Sequence, residues 1–196
     1  MNDGQATRRR LLEAAAEEFA RYGIAGARVD RISANAKANK AQLYAYFGDK
    51  DRLFDTVFQE HANEIVNAVP MTAHDLPAYA VGIYDTCLTK PNLVRLATWA
   101  RLERVPAGEL VTMPEETAQK LTAIADAQRA GHIDPALEPA DVLAMVSTMA
   151  LTWSPASLFY AATTSDQEAD HQRRRQALAE TVRRAFRPPG PPDARE

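Results

Sequence analysis

The chain is predicted to be all-α: an N-terminal three-helix helix-turn-helix domain followed by a larger helical domain, about nine helices in all. Three observations predict it. Apolar residues recur at helical spacing in nearly every segment between glycine and proline breaks. Alternating runs rich in Val, Ile and Thr, the mark of strands, are missing. Residues 29–50, VDRISANAKANKAQLYAYFGDK, read as two short helices around a tight turn. In that arrangement one helix braces while the next lies in the DNA major groove.

Each element has its own reason. Thr7 is the expected N-cap of the first helix, because its hydroxyl can accept from the free amides of a first turn. Leu11, Leu12, Ala15 and Phe19 then recur at helical spacing, and Gly23 is the expected stop. The second helix should run over about 29–36, burying Val29, Ile32 and Ala36. Asn39 should cap a third over about 40–46, with Leu43 and Phe47 inward. Asp49 should cap a fourth that carries Leu53, Phe54, Val57 and Phe58 along one side. It should run to about 69, where Pro70 stops it, and link the head to the body. Further on, proline and glycine divide the chain into helical stretches near 76–89, 92–104, 115–130, 139–162 and 166–187. Pro155 falls inside the fourth stretch and should bend it or end it early. The expected domains are therefore 1–50, continuing into the linking helix 49–69, and 70–187. The proline-rich segment 188–196 is expected to be a disordered tail.

Composition narrows the function. The net charge of -3 over 196 residues conceals a split. Residues 1–50 hold nine Lys/Arg and six Asp/Glu, a balance of +3, so the remainder carries -6. A basic head on an acidic body suits DNA binding by the head. The single cysteine, Cys87, excludes an internal disulfide and fits a reducing cytosol. The polar start and the lack of any run of about 20 apolar residues point to a cytoplasmic protein without a membrane span. His61, His74, His132 and His171 are scattered, without metal-ligand spacing, and no glycine-rich phosphate loop appears. No catalytic site, metal or cofactor is expected, and an enzyme on a helical scaffold is the remote alternative.

The recognition helix, together with Asn39 at its cap, carries the expected DNA contacts. Its first turn offers Lys40, Ala41 and Gln42. The Gln42 amide matches an adenine edge, Ala41 permits close approach and Lys40 can reach guanine or phosphate. Tyr44 and Tyr46 pair apolar rings with hydroxyls suited to phosphate oxygen. Lys50, at the start of the fourth helix, and Arg28, before the second, are placed to grip phosphate.

Together these residues resemble the DNA-binding region of TetR-family transcriptional regulators. The resemblance runs over residues 7–54 and rests on Thr7-Arg8, Leu12, Ala15, Phe19, Gly23, Val29, Ile32, Ala36, Leu43-Tyr44, Tyr46-Phe47, Lys50 and Leu53. It implies an all-helical homodimer that binds a double-stranded DNA operator, usually represses, and leaves DNA when a small-molecule effector binds. This chain departs from the family at three places. Lys37 stands where the turn is commonly glycine, Asn39 where a small hydroxyl residue is common, and Arg28 where threonine is common. An activator, or a regulator answering to a protein partner, is the alternative that sequence does not separate.

In the second half, Pro155 can open space beside Trp153. Tyr84, Cys87, Trp99, Met145, Met149 and Trp153 are the candidate lining of a pocket for an apolar or aromatic effector. Ordinary core packing is the other reading of the same residues. The resemblance implies that the last two long helices pair with their copies, with Val146, Leu178, Val182 and Phe186 as candidate interface residues. The run Arg173-Arg174-Arg175 reads as a solvated helix face.

Overall fold

Glycine, proline and polar caps cut this chain into helices that pack as two compact units. The structure, a computed structural model, describes residues 3–110 and 113–189. The segment from 190 onward, most of the expected tail, lies outside the described residues. The described residues include nine α-helices and one short 3-10 turn, with no strand among them.

The first unit takes the chain through Asn67 and resumes at Lys90. It contains α1 (Asp3–Gly26), α2 (Val29–Asn35), α3 (Lys40–Phe47), α4 (Lys50–Asn67) and α6 (Pro91–Glu103). Its core is the periodic apolar set: Leu11, Phe19, Ile32, Leu43, Leu53 and Phe54, joined by Leu96 and Ala100 of α6. The Phe19 and Phe54 rings meet edge to face at 5.2 Å, a favoured aromatic geometry. Val29 is only half-buried.

Thr7 is not the cap of α1. The helix begins at Asp3, and Thr7 lies buried inside it, its hydroxyl accepting from Arg10 Nη2 at 2.9 Å. Its first turn is tied to α3, since the Tyr46 hydroxyl donates to the Gly4 carbonyl at 3.1 Å. The break at Gly23 is as expected: its φ of 72° and ψ of 179° interrupt the helix, a region open to glycine.

Helix α6 fastens that break from both sides. Arg95 Nε donates to the Ala20 carbonyl at 2.6 Å, and Trp99 Nε1 donates to the same oxygen at 3.4 Å. The Glu103 carboxylate accepts from the Ile24 and Ala25 amides at 3.2 and 3.0 Å. Orphan carbonyls and amides at the kink thus find side-chain partners. Arg104 then bridges to Asp51 and Asp55 of α4. This unit is larger than the head expected from sequence, because α4 and α6 complete its core.

The second unit contains the 3-10 turn Ala73–Asp75, α5 (Leu76–Thr89), α7 (Pro114–Arg129), α8 (Pro139–Ala150) and α9 (Glu168–Phe186). Prolines open α7 and α8, where a missing amide costs nothing. Tyr84, Ile124, Ile133, Val142, Val146, Ala150, Leu178 and Val182 form its core.

The stretch expected to be helical over 139–162 ends at Ala150. Past it the chain makes tight i→i+3 turns, with Leu151 N on Thr148 O, Thr152 N on Met149 O and Ser154 N on Leu151 O. Pro155 explains the early stop, because it has no amide for the Leu151 carbonyl and its ring would crowd that oxygen. The Ala162 amide then returns to the Trp153 carbonyl at 2.9 Å, folding residues 151–162 into a loop.

Candidate nucleic-acid interface

The turn between α2 and α3 closes with Lys37 N on Ala34 O and Ala38 N on Ser33 O. It requires a positive φ, and Lys37 supplies it at 52°, the positive-φ residue other than glycine among those described. A lysine held there costs of order 1 kcal/mol against glycine. Asn39 caps α3 as expected. Its Oδ1 accepts from Gln42 N at 2.8 Å, and Gln42 Oε1 accepts from Asn39 N at 3.1 Å. This is a reciprocal capping box.

Arg28 is the N-cap of α2 but lends it no side-chain bond. Glu18 of α1 replaces the cap. Its buried carboxylate accepts from the Arg28 amide at 2.9 Å and from Arg31 Nε at 2.8 Å. Arg10 closes the other end of α2, donating through Nε to the Ala36 carbonyl at 3.1 Å. Sequence reasoning missed both residues. Their only signal was charge on the first helix, ten and more residues from the ends they serve.

The expected contact residues share one region, but most of their polar groups have partners within the protein. Lys40 Nζ pairs with Asp30 of α2. Tyr46 is committed to the Gly4 carbonyl. Lys50 Nζ donates to the Ala25 and Ala27 carbonyls at 3.2 and 3.3 Å, binding the end of α1 to the start of α4. Ala41 is exposed, and Tyr44 is 47% exposed. Lys37 and the Arg28 side chain are also exposed and carry no ion pair among the described residues. Chemically, this surface offers an amide, a small side chain, phenols and cations.

The six candidate pocket residues do not line one cavity. Trp99 belongs to the first unit, beside Gly23. Met145 is 38% exposed, because Val142, Val146 and Ala150 occupy the inward stripe of α8 and Met145 falls off it. Cys87 is buried, and burial pushes its thiol up to about 11. Tyr84, Met149 and Trp153 do meet in one cluster. The Tyr84 hydroxyl is 2.7 Å from His171 Nδ1, and its ring lies edge-on to Trp153 at 5.9 Å. A cleft of about 200 Å³ lies in the same unit among Leu76, His132, Ile133, Val182 and Phe186.

Two further expectations are corrected. Val146, Leu178, Val182 and Phe186 are all buried in the core of the second unit, so none presents a side chain to another copy. They are the inward stripes of α8 and α9, and periodicity alone does not say which apolar stripe faces which partner. The arginine run is not a solvated face either. Arg174 is 5% exposed, bound to Asp166 at 2.7 Å and lying 4.9 Å from the Tyr160 ring centre. Arg175 bridges Asp85 and Glu168 at 2.9 Å each, leaving Arg173 as the most exposed of the three.

Among the described residues, no helix is long and apolar enough to cross a membrane, and no group of three His, Cys, Asp or Glu is placed to hold a metal ion.

Residues 11–57 match the family described as "Bacterial regulatory proteins, tetR family". Residues 75–184 match "Tetracyclin repressor-like, C-terminal domain". The HTH-type transcriptional repressor SCO4008 of Streptomyces coelicolor is 39% identical over 151 residues, covering 76% of this chain and 78% of that protein. The crystal structure of SCO4942 from Streptomyces coelicolor is 38% identical, with a TM-score of 0.75, over 92% of this chain and 98% of that one. A TetR-family regulator from Pseudomonas syringae pv. tomato shares the fold at 18% identity, with a TM-score of 0.69 over 95% and 98% of the two chains.

Proposed function

This chain belongs to the TetR family of bacterial regulatory proteins, and from that premise we propose that it represses transcription as a homodimer on a palindromic operator and is released by a small effector. The protein is a DNA-binding transcriptional regulator and not an enzyme. The observation that carries the proposal is the start of α3. There the Asn39–Gln42 capping box fixes an exposed Lys40-Ala41-Gln42 turn beside the exposed Tyr44, Lys37 and Arg28. Two such turns related by a two-fold axis fit successive major grooves, roughly 34 Å apart or a multiple of it.

The direction of regulation follows the repressor description of the relative SCO4008. The effector is apolar or aromatic, a reading supported by Met149 and Trp153, which are only partly buried against the core at Tyr84. Release requires the effector to bind one conformation more tightly than the other.

Selection of bound DNA from a random pool tests the first part. Enrichment of a palindrome with half-sites one or two helical turns apart is the expected result. Enrichment of a single half-site, or of none, overturns it. Screening small aromatic compounds for release of the selected DNA tests the second part.

A further inference from the structure

We infer that Asp30 is a positioning residue for base recognition: it withdraws the Lys40 ammonium from phosphate binding and assigns it to a guanine edge. The inference rests on the α3 contact surface proposed above and names what Lys40 reads there.

Lys40 opens α3, Asp30 lies in the first turn of α2, and the two side chains form an ion pair. Both residues are exposed. An exposed pair adds little to stability, so folding is a poor reason for the contact. Asp30 is already favoured where it sits by the positive end of α2. The neighbouring cations give the contrast. Arg28 and Lys37 are exposed and carry no ion pair among the described residues, so both are left for phosphate. Of the three, Lys40 is the one held by a carboxylate.

An ammonium has three donors. One goes to Asp30 Oδ1, which leaves two, the number that guanine N7 and O6 accept in the major groove. The guanine edge carries no net charge, so Lys40 can reach it without giving up Asp30. A phosphate is an anion. A Lys40 that gripped one would bring it within a few ångströms of the carboxylate, where like charges repel. Asp30 thus penalises the contact that every sequence offers and spares the one that guanine offers. Penalising the wrong contact is a general route to specificity. The Asn39–Gln42 box fixes the backbone from which Lys40 springs. The ion pair fixes its far end, so the ammonium is ordered before DNA arrives.

The test compares the full chain with Asp30→Asn, Lys40→Met and the double variant. Each is given a random pool of duplexes for selection, and one unselected duplex of equal length for titration. Wild type should enrich a G·C pair at one position of each half-site. Asp30→Asn should lose that enrichment, keep the rest of the site and bind the unselected duplex several-fold more tightly. Its log K should also fall more steeply with log salt, by about 0.9, the change expected for one added phosphate contact. Lys40→Met should lose the same position without weakening binding to the unselected duplex. In the double variant the steeper salt dependence should vanish, because it needs the freed ammonium. Asp30→Glu, which keeps the charge, should restore the G·C preference. Asp30→Asn with wild-type preference and salt slope overturns the assignment. So does a Lys40→Met that weakens the unselected duplex as much as the selected one, which puts the lysine on phosphate. A wild type that enriches no sequence overturns the contact surface as a whole, whereas an enriched site without the G·C position overturns the role of Asp30 alone.

Discussion

Gln42 Oε1 accepts from the Asn39 amide while Asn39 Oδ1 accepts from the Gln42 amide, so one glutamine both closes the recognition helix and offers its Nε2 to DNA. Bidentate pairing with adenine needs both ends of the amide, and here Oε1 has one lone pair left for it. Gln42→Glu keeps an acceptor for the Asn39 amide but loses the donor. It should leave the melting temperature nearly unchanged and weaken operator binding. Gln42→Ala should lose the box as well, costing about 1–3 kcal/mol at cognate sites and relaxing preference at one base position. Titration of each variant against operator and single-base mutants checks this. Unchanged affinity and preference in both would remove Gln42 from base recognition.

The position of Lys50 in the chain suits a phosphate, yet its ammonium sits on the Ala25 and Ala27 carbonyls. Cations favour such carbonyl ends. Lys50→Ala is therefore expected to lower the stability of the first unit by about 1 kcal/mol, as well as to weaken all DNA sequences alike. Chemical denaturation read beside salt-dependent binding separates the two effects. Weaker binding at unchanged stability would assign the lysine to phosphate alone.

Lys37 reverses the signs. Glycine relieves its positive φ, so Lys37→Gly should raise stability by about 1 kcal/mol. If the exposed charge meets a phosphate, the same change lowers affinity for every sequence and reduces the slope of log K against log salt by about 0.9. Gain of stability with loss of affinity is the expected pair of results. A stability gain with unaltered salt dependence would place Lys37 away from the DNA.

How much was legible follows from how local each cause is. Asn39, Leu43 and Phe47 act within a few residues, so the recognition helix and its cap could be read from the chain. The break at Gly23 and the stop caused by Pro155 are local too, although the point at which α8 ends was not. Thr7 does not cap α1 because the helix already includes the residues before it, and its hydroxyl serves Arg10 instead. The cap on α2 comes from Glu18 across a helix contact, which no local pattern announces. Trp99, Met145, Val146 and Phe186 fit a helical period equally well whether they face a pocket, a partner or their own core. Only the packing of α6, α8 and α9 separates those possibilities.

Gly23 has no tolerated replacement. A Cβ there would lie 2.8 Å from Glu103 Oε1 and 2.9 Å from Trp99 Cε3, and the backbone φ of +72° is one that residues with a Cβ rarely adopt. Gly23→Ala should cost about 1–3 kcal/mol from backbone strain alone, with loss of the Glu103 contacts added to it. Urea denaturation measures the cost. A change below about 0.5 kcal/mol would mean that the kink relaxes without penalty and that Glu103 does not depend on it.

Acid should loosen the second unit around α9. Burial pushes the Asp166 carboxyl up, but hydrogen bonds from Arg174, Tyr160 and Thr163 outweigh it and hold the group below the usual range. Arg175 lowers Glu168, and Arg184 lowers Glu180, in the same direction. A carboxyl with a lower value folded than unfolded binds fewer protons in the native state. Its stabilisation is present above the unfolded value, about 3.9 for Asp, and is lost as pH falls through the folded value. Asp166→Asn removes the charge at every pH. Wild type should therefore melt above the variant at neutral pH, and the gap should narrow as pH is lowered past 4. A gap that stays constant from neutral to acid pH would show that the Arg174 contact works through shape and neutral hydrogen bonding rather than through the carboxylate charge.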